Sequence, residues 1–193
     1  MRLSRLYLSP RFFDPVTCLT IRTAMDRGTA EPAEVFDAGA SLDLDARHAT
    51  SIDIDPATLA TVEATLDAAR DAIAAYYHLS LVSREGPGFL RYGPDGFYRR
   101  HRDRAVDAAW PGAARRLVSL VVFLNSSCLR PAPGEFSGGE LLIFPESPDD
   151  VAGSGATKVT PCLGSLVAFH ATTFHEVRPV VGGVRDVIVD WYY

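Results

Sequence analysis

Long hydrophobic runs, paired cysteines and an excess of positive charge are all missing from this sequence, and each absence excludes a class of protein. No apolar run approaches the roughly 20 residues that cross a bilayer. The basic start Met1–Leu6 is not followed by the apolar segment of a signal peptide. The three cysteines, Cys18, Cys128 and Cys162, form no CxxC pair, which excludes a disulfide scaffold and a cysteine zinc site. We therefore expect a cytoplasmic protein with no membrane partner.

The net charge of −5 and the pI of about 5.5 argue against a nucleic-acid partner. Hydrophobic residues make up 47% of the chain and charged residues 22%, which is ordinary for a globular protein. A length of 193 residues without an internal repeat or a linker predicts one domain, residues 1–193. None of these features indicates an oligomeric state.

Two helices are predicted in the first half of the chain. Asp14-Pro15 combines an N-cap residue with a proline suited to the first turn, and that helix should run to about Arg27 before Gly28. Asp55-Pro56 repeats this pattern and predicts a longer helix to about Leu79. Apolar residues recur along it at spacings of three and four, which predicts one buried face: Leu59, Val62, Leu66, Ala69, Ile73 and Tyr77.

The second half is predicted to be mainly β-structure. Short β-rich runs alternate there with glycine- and proline-containing turns, which is typical of a sandwich or a closed barrel. The runs are Phe89–Tyr92, Tyr98–Asp103, Arg116–Leu124, Glu140–Phe144, Ser165–Phe169 and Val184–Trp191. Two shorter candidate strands, Glu34–Asp37 and Ser41–Leu44, lie between the helices. We expect an α+β domain in which residues 1–85 form a helical support outside a β core of residues 86–193.

Candidate metal ligands occur in one of these β-rich runs and in the segment between the last two runs. His101 and Asp103 are two residues apart, so in a strand both side chains point to one face and can bind one metal ion. His175 would complete the two-histidine, one-carboxylate set of non-haem iron(II) oxygenases. His170, five residues earlier, is the alternative for this distal ligand. Arg185 offers a rigid charged fork suited to a carboxylate.

From about Phe89 to Trp191 the chain resembles the prolyl-4-hydroxylase-like group of iron(II)- and 2-oxoglutarate-dependent dioxygenases. The segments that carry the resemblance occur in the family's order: Tyr92 to Asp103 with the HxD motif, Arg116–Asn125, Phe136-Ser137-Gly138-Gly139-Glu140-Leu141, and Gly164 to Arg185 with His175-Glu176-Val177, Pro179-Val180 and Gly183-Val184-Arg185. HxD alone is unspecific, but this order and spacing are specific to the family.

The resemblance implies a double-stranded β-helix, or jelly roll, and a site that uses Fe(2+) and 2-oxoglutarate, with ascorbate as a candidate reductant. It implies iron ligation by His101, Asp103 and His175, and contact with 2-oxoglutarate by Arg185 and Tyr92. Two residues depart from the family pattern. Phe123 replaces a frequent tyrosine and Val189 a threonine of some members, so fewer hydroxyls surround the co-substrate and Arg185 becomes its main anchor.

Strand alternation raises two questions about this site. A regular two-residue hairpin at Gly182-Gly183 would put Arg185 and His175 on opposite faces, so we predict a longer loop or a bulge between them. Tyr98, by the same alternation, would face away from His101 unless the strand is kinked.

The substrate pocket is predicted to include Tyr98, Trp110 and His170, although packing is the more common role for aromatic residues of this kind. A basic cluster lies nearby and either steers an anion to the site or forms two solvated strand faces: Arg99, Arg100, Arg102, Arg104, Arg115 and Arg116.

The leading hypothesis is a dioxygenase that hydroxylates an unactivated C–H bond while converting 2-oxoglutarate and O2 to succinate and CO2. The substrate is a peptidyl proline, an amino acid or a natural-product intermediate. One alternative is a non-catalytic jelly-roll module that binds a metal or ligand. The other is a metal-dependent enzyme on the same scaffold that does not use 2-oxoglutarate.

Overall fold

Two β-sheets lie face to face in the computed structural model, which describes residues 5–36, 40–41, 43–104, 111–145 and 155–193. The larger sheet has seven strands in the order β1-β13-β9-β16-β7-β6-β2. These strands are β1 (Tyr7–Ser9), β2 (Thr29–Pro32), β6 (Thr50–Asp53), β7 (Gly88–Tyr92), β9 (Val118–Phe123), β13 (Leu166–His170) and β16 (Arg185–Tyr192).

The smaller sheet has five strands in the order β12-β11-β14-β8-β5. They are β5 (Arg47–His48), β8 (Phe97–His101), β11 (Leu141–Ile143), β12 (Thr157–Val159) and β14 (His175–Val177). Two antiparallel pairs accompany the sheets: β3 (Val35–Phe36) with β4 (Ala40–Ser41), and β10 (Phe136–Gly138) with β15 (Val180–Gly183). The predicted strands at 34–37 and 41–44 are thus shorter in the described residues, and Asp37 and Leu42 lie outside them.

The helices are α1 (Pro15–Arg27), α2 (Pro56–Tyr77) and the short α3 (Pro111–Arg115). Asp14 and Asp55 cap the first two, each accepting hydrogen bonds from backbone N–H groups of the first turn. The predicted helix starts are confirmed. The second helix ends two residues before the predicted Leu79, where His78 adopts a left-handed conformation with φ of 57°. None of the described helices has both the length and the hydropathy to cross a membrane.

The central strands of the larger sheet are buried on both faces. One face packs on α1 and α2 through alternate β9 residues, including Val118 and Val122, and through Leu66 and Ile73 of α2. The other face packs on the smaller sheet, and β9 contributes Phe123 to this second core. The mainly β jelly-roll architecture with helices outside is therefore as expected.

The predicted division at residue 85 needs correction. Of the six described strands before it, four extend the two sheets: β1, β2 and β6 join the larger sheet and β5 joins the smaller one. The first 85 residues are therefore part of the β-sandwich as well as its helical support. Sequence patterns missed these strands because edge strands are short and lack a long apolar alternation.

Leu66→Ala is expected to lower the free energy of unfolding by about 2–5 kcal/mol, because the side chain is fully buried between α2 and the larger sheet. Urea unfolding followed by circular dichroism would measure this loss. The matched control is Leu19→Ala in α1, where the leucine is 64% exposed and the change should stay within about 0.5 kcal/mol. Equal losses in the two variants would contradict the packing described for α2.

Candidate metal centre

Three side chains that could hold one metal ion meet between the sheets. One ligand atom each of His101, Asp103 and His175 lies within 4.8 Å of the others. His101 Nε2 is 3.6 Å from Asp103 Oδ1, and His175 Nε2 is 3.6 Å from Asp103 Oδ2. Strand pairing explains the approach, because His101 at the end of β8 lies directly opposite His175 at the start of β14. Asp103 follows β8 by two residues.

Both histidines have their Nδ1 atoms turned to backbone carbonyls. His101 Nδ1 lies 2.7 Å from the carbonyl oxygen of Arg99, and His175 Nδ1 lies 3.1 Å from that of Thr173. A carbonyl can only accept, so each Nδ1 carries the proton and each Nε2 keeps a lone pair. Both rings therefore present their Nε2 atoms to the centre, as metal-binding histidines do.

Charge and burial favour an ionised Asp103 carboxylate beside a neutral His175 imidazole. Burial, and then the nearby His101, lower the pKa of His175 to about 4. Burial raises the pKa of Asp103, but the two histidines and a hydrogen bond from Ser119 outweigh it and hold that pKa well below its usual range. The Ser119 hydroxyl donates to Asp103 Oδ2 at 2.6 Å. His175 is thus neutral and Asp103 ionised at neutral pH, which is the protonation state that a divalent cation requires of these two donors.

A bulge brings Tyr98 to the same side as His101. The pairing of β14 with β8 matches His175 to His101 and Val177 to Tyr98, so three steps along β8 oppose two along β14. The Tyr98 ring then stacks on the His101 ring with centroids 3.5 Å apart. The bulge is the kink that the alternation of side chains along a strand makes necessary if Tyr98 is to line the pocket.

Arg185 lies in the same cavity and is buried, with 1% of its surface exposed. Burial lowers the pKa of its guanidinium to about 10, against the opposing effect of Tyr92. The side chain therefore remains charged at neutral pH. Its Nε atom is buried without a hydrogen-bond partner. A buried charged donor without a partner is costly, and an anionic ligand would supply the missing acceptor.

The strands around Arg185 explain its position. Gly182-Gly183 does not form the regular two-residue hairpin that would separate Arg185 from His175: β15 pairs with β10, whereas β16 starts at Arg185 in the larger sheet. The chain therefore changes sheets at Val184, after Gly183 with φ of 77°, and this break allows both His175 and Arg185 to face the interior. Arg185 is directly opposite Tyr92 in β7, with its guanidinium carbon 4.8 Å from the Tyr92 ring centroid.

Gly139 of the GGEL motif packs on Arg185. Gly139 has φ of 63°, and a Cβ there would lie 3.0 Å from Arg185 Cδ and 2.9 Å from the Phe136 ring. Glycine is therefore needed both for the backbone conformation and for the close approach. The motif shapes the wall of the cavity and does not supply a ligand.

The cavity has a volume of about 460 Å³, which is within the usual range for small-molecule sites. Tyr92, Tyr98 and Val189 line it, and Phe123 places its ring 5.4 Å from the Arg185 guanidinium without offering a hydroxyl. Trp110 lies outside the described residues.

His170 does not line this cavity. Its ring packs edge-on against Tyr77 of α2, with centroids 4.7 Å apart, so the prediction of a pocket role is corrected. His170 and His175 are separated by a turn that redirects the chain from one sheet to the other.

Sequence reasoning missed two polar residues of the site. Ser119 lies within an otherwise apolar strand, and a polar residue in such a run was the available signal. Arg47 comes from β5, which has only two residues and no motif. Its guanidinium lies 4.7 Å from the Tyr98 ring centroid and lines the cavity.

Comparisons with known proteins agree with this architecture. A PKHD-type hydroxylase of Parvibaculum lavamentivorans is 33% identical over 108 residues, which cover 54% of this chain and 42% of that protein. The chain thus spans about two fifths of the length of the curated relatives it matches.

Among solved structures, a Pseudomonas putida prolyl-4-hydroxylase is 28% identical with a TM-score of 0.73, covering 98% of this chain and 92% of that one. A prolyl hydroxylase from Trichoplax adhaerens, in complex with a peptide fragment, shares the fold at 18% identity and a TM-score of 0.72, covering 97% of this chain and 83% of that one. The family model of the 2OG-Fe(II) oxygenase superfamily matches residues 87–193. That segment is more than half of the chain and contains all three candidate ligands and Arg185, so this protein belongs to the 2OG-Fe(II) oxygenase superfamily.

Proposed function

We propose that this protein is an iron(II)- and 2-oxoglutarate-dependent dioxygenase that hydroxylates an unactivated C–H bond. One observation carries the proposal: the cluster of His101, Asp103 and His175 shares a cavity with the buried, unpartnered Nε of Arg185. Two histidines and a carboxylate suit non-haem iron(II), and a buried guanidinium suits a dicarboxylic co-substrate. The hydroxylase names of the relatives support the same reaction type.

In this proposal the chain binds, orients and shields the reactants. His101, Asp103 and His175 would hold the metal through Nε2 and carboxylate atoms. Arg185 binds the far carboxylate of 2-oxoglutarate. When bound, iron and 2-oxoglutarate supply the oxidising chemistry toward O2 and the C–H bond.

Apolar and aromatic groups around the centre limit access of water to the reactants. Val121, Leu141 and Val187 line the cavity, and Tyr98 covers one face of the His101 ring. A site of low polarity strengthens the charge interactions of Asp103 and Arg185 with their ligands.

The substrate remains within the expected classes: a peptidyl proline, an amino acid or a natural-product intermediate. The prolyl hydroxylase relatives favour the first of these. Ascorbate is proposed as the reductant that keeps the iron in its ferrous state. Free Cys18, Cys128 and Cys162 support a reducing, cytoplasmic location.

An anaerobic titration of the metal-free protein with iron(II) and then 2-oxoglutarate tests the proposal. We expect a saturable visible charge-transfer band from the chelated 2-oxo acid, absent in His175→Ala. Bound iron without a band would favour the enzyme that does not use 2-oxoglutarate. Binding of both without O2-dependent succinate formation would favour the non-catalytic module. Failure to bind iron would overturn the metal assignment itself.

Ser119→Ala should weaken metal binding by about 10–100-fold, because Asp103 loses the hydrogen bond that fixes one of its oxygens. Isothermal titration with Mn(II) would measure the dissociation constant. Ser165→Ala is the matched control, since the Ser165 hydroxyl bonds the Cys162 carbonyl in an exposed turn. Equal affinities of wild type and Ser119→Ala would contradict a supporting role for this serine.

A further inference from the structure

Arg47 occupies a wall of the cavity that lies outside the segment matched by the family model. It is paired with Tyr98 across β5 and β8, and its guanidinium lies over the Tyr98 ring. The same Tyr98 ring stacks on the ring of His101. Arg47 therefore stands one aromatic ring away from a candidate metal ligand.

The hydrogen bonds of Arg47 leave one edge of its guanidinium unpaired. Nη1 donates to the backbone carbonyl of Glu34 at 2.8 Å, which fixes the orientation of the group. Nε is buried and has no partner, and no ion pair joins Arg47 to a carboxylate in the part of the chain that the structure describes. The Nε–Nη2 edge of a guanidinium matches the two oxygens of a carboxylate. Arg47 therefore presents a fixed edge whose buried Nε has no acceptor among the described residues.

Positive charge is concentrated around the cavity of an acidic protein. Of the described residues that line it, two are carboxylates, Asp43 and Asp103, and six are arginines: Arg47, Arg100, Arg102, Arg104, Arg116 and Arg185. Asp43 is engaged by the backbone N–H groups of Asp45 and Ala46. Glu85 neutralises Arg116 through two short contacts of 2.5 and 2.6 Å. Several guanidinium groups of the cavity therefore remain available to bind an anion when Arg185 binds 2-oxoglutarate.

Two of these guanidinium groups lie at the exposed rim of the cavity. Arg100 and Arg102 are exposed and place their guanidinium carbons 5.2 and 5.3 Å from the Phe174 ring centroid. Such a rim attracts anions toward the cavity, whereas the buried edge of Arg47 can bind one in a defined position.

We propose that the substrate carries a carboxylate that binds the free edge of Arg47, so that Arg47 determines substrate specificity and Arg185 holds the co-substrate. This inference rests on the proposed function and narrows its substrate class. The carboxylate belongs either to a small acid or to an acidic residue of a peptide, since both offer the same two oxygens.

Matched acids and amides test the charge requirement directly. The protein is loaded with Mn(II) and 2-oxoglutarate, and N-acetyl amino acids are titrated as free acids and as primary amides by calorimetry. We expect acids to bind at least tenfold more tightly than their amides. N-acetyl-aspartate amide and N-acetyl-glutamate amide represent acidic residues within a peptide, and tighter binding of these than of the other amides would identify a peptide source.

Arg47→Gln should abolish the preference for acids while changing the affinity for 2-oxoglutarate less than twofold. Arg99→Gln is the matched control: it removes the same charge from an exposed side chain of β8 that does not line the cavity, and it should keep the preference. Arg47→Lys keeps the charge but loses the two-pronged guanidinium, so this variant should retain part of the preference for acids.

Several results would overturn the proposal. A panel in which no acid binds more tightly than its amide would do so, and so would an unchanged preference in Arg47→Gln. A tenfold or greater loss of 2-oxoglutarate affinity in Arg47→Gln would instead assign this arginine to the co-substrate. Failure of the proposed function is distinguishable, because then the wild-type protein would not bind the metal and 2-oxoglutarate before any acid is added.

Discussion

His175→Ala is expected to reduce succinate formation from 2-oxoglutarate to the level of a protein-free iron(II) control, and Asp103→Ala should do the same. Each change removes one of three clustered donor groups. Metal affinity should fall by more than the roughly 10–100-fold that loss of a supporting hydrogen bond costs. Iron binding by anaerobic titration and succinate release are the two measurements.

Both variants should fold. The backbone N–H of Asp103 donates to Ala171, and the Asp103 carbonyl accepts from Arg116, and neither bond involves the carboxylate. His175 keeps its strand pairings on both sides through its backbone. Unfolding curves near those of wild type would therefore accompany the loss of activity.

His170→Ala is the matched control for His175→Ala. It removes an imidazole five residues away, whose ring contacts Tyr77 and does not line the cavity. Succinate formation should persist in this variant. Wild-type activity in His175→Ala together with its loss in His170→Ala would show that the distal ligand has been assigned to the wrong histidine.

The helices and the main strands were predictable because their signals are local. Asp-Pro pairs mark both helix starts, and the apolar spacing of α2 identifies the buried Leu66 and Ile73. The edge strands were missed because two- to four-residue strands such as β5 carry no periodicity and depend on a partner distant in the sequence.

The candidate ligands were predictable from motif order, but the geometry that brings other residues to them was not. Strand alternation identified the need for an irregularity at Tyr98, yet only the pairing of β14 with β8 locates the bulge. An irregularity between His175 and Arg185 was predictable, but its form as a change of sheet was not, because Gly182-Gly183 has the local composition of a turn. Ser119 and Arg47 reach the site through tertiary contacts that no nearby sequence pattern records.

The second prediction with a large expected effect concerns Arg185, the residue proposed to bind 2-oxoglutarate. Tyr92 lies beside Arg185, but Phe123 and Val189 supply no hydroxyl to this part of the cavity. We therefore expect Arg185 to be the main charged donor for the far carboxylate of 2-oxoglutarate. A hydrogen bond to a charged group contributes about 1.5–3 kcal/mol, so loss of a two-pronged contact should weaken binding by roughly a hundredfold or more.

Arg185→Ala should accordingly raise the 2-oxoglutarate concentration needed for half-maximal formation of the charge-transfer band by roughly a hundredfold or more, while iron(II) affinity stays near that of wild type. The affinities for iron(II) and for 2-oxoglutarate must be measured separately, because collapse of the cavity would weaken both. Arg178→Ala serves as the control, since its guanidinium is exposed and pairs with Glu176 away from the cavity. An unchanged requirement for 2-oxoglutarate in Arg185→Ala would transfer the anchoring role to another cation of the cavity, and Arg47 would be the first to examine, because it also presents a buried nitrogen without a partner.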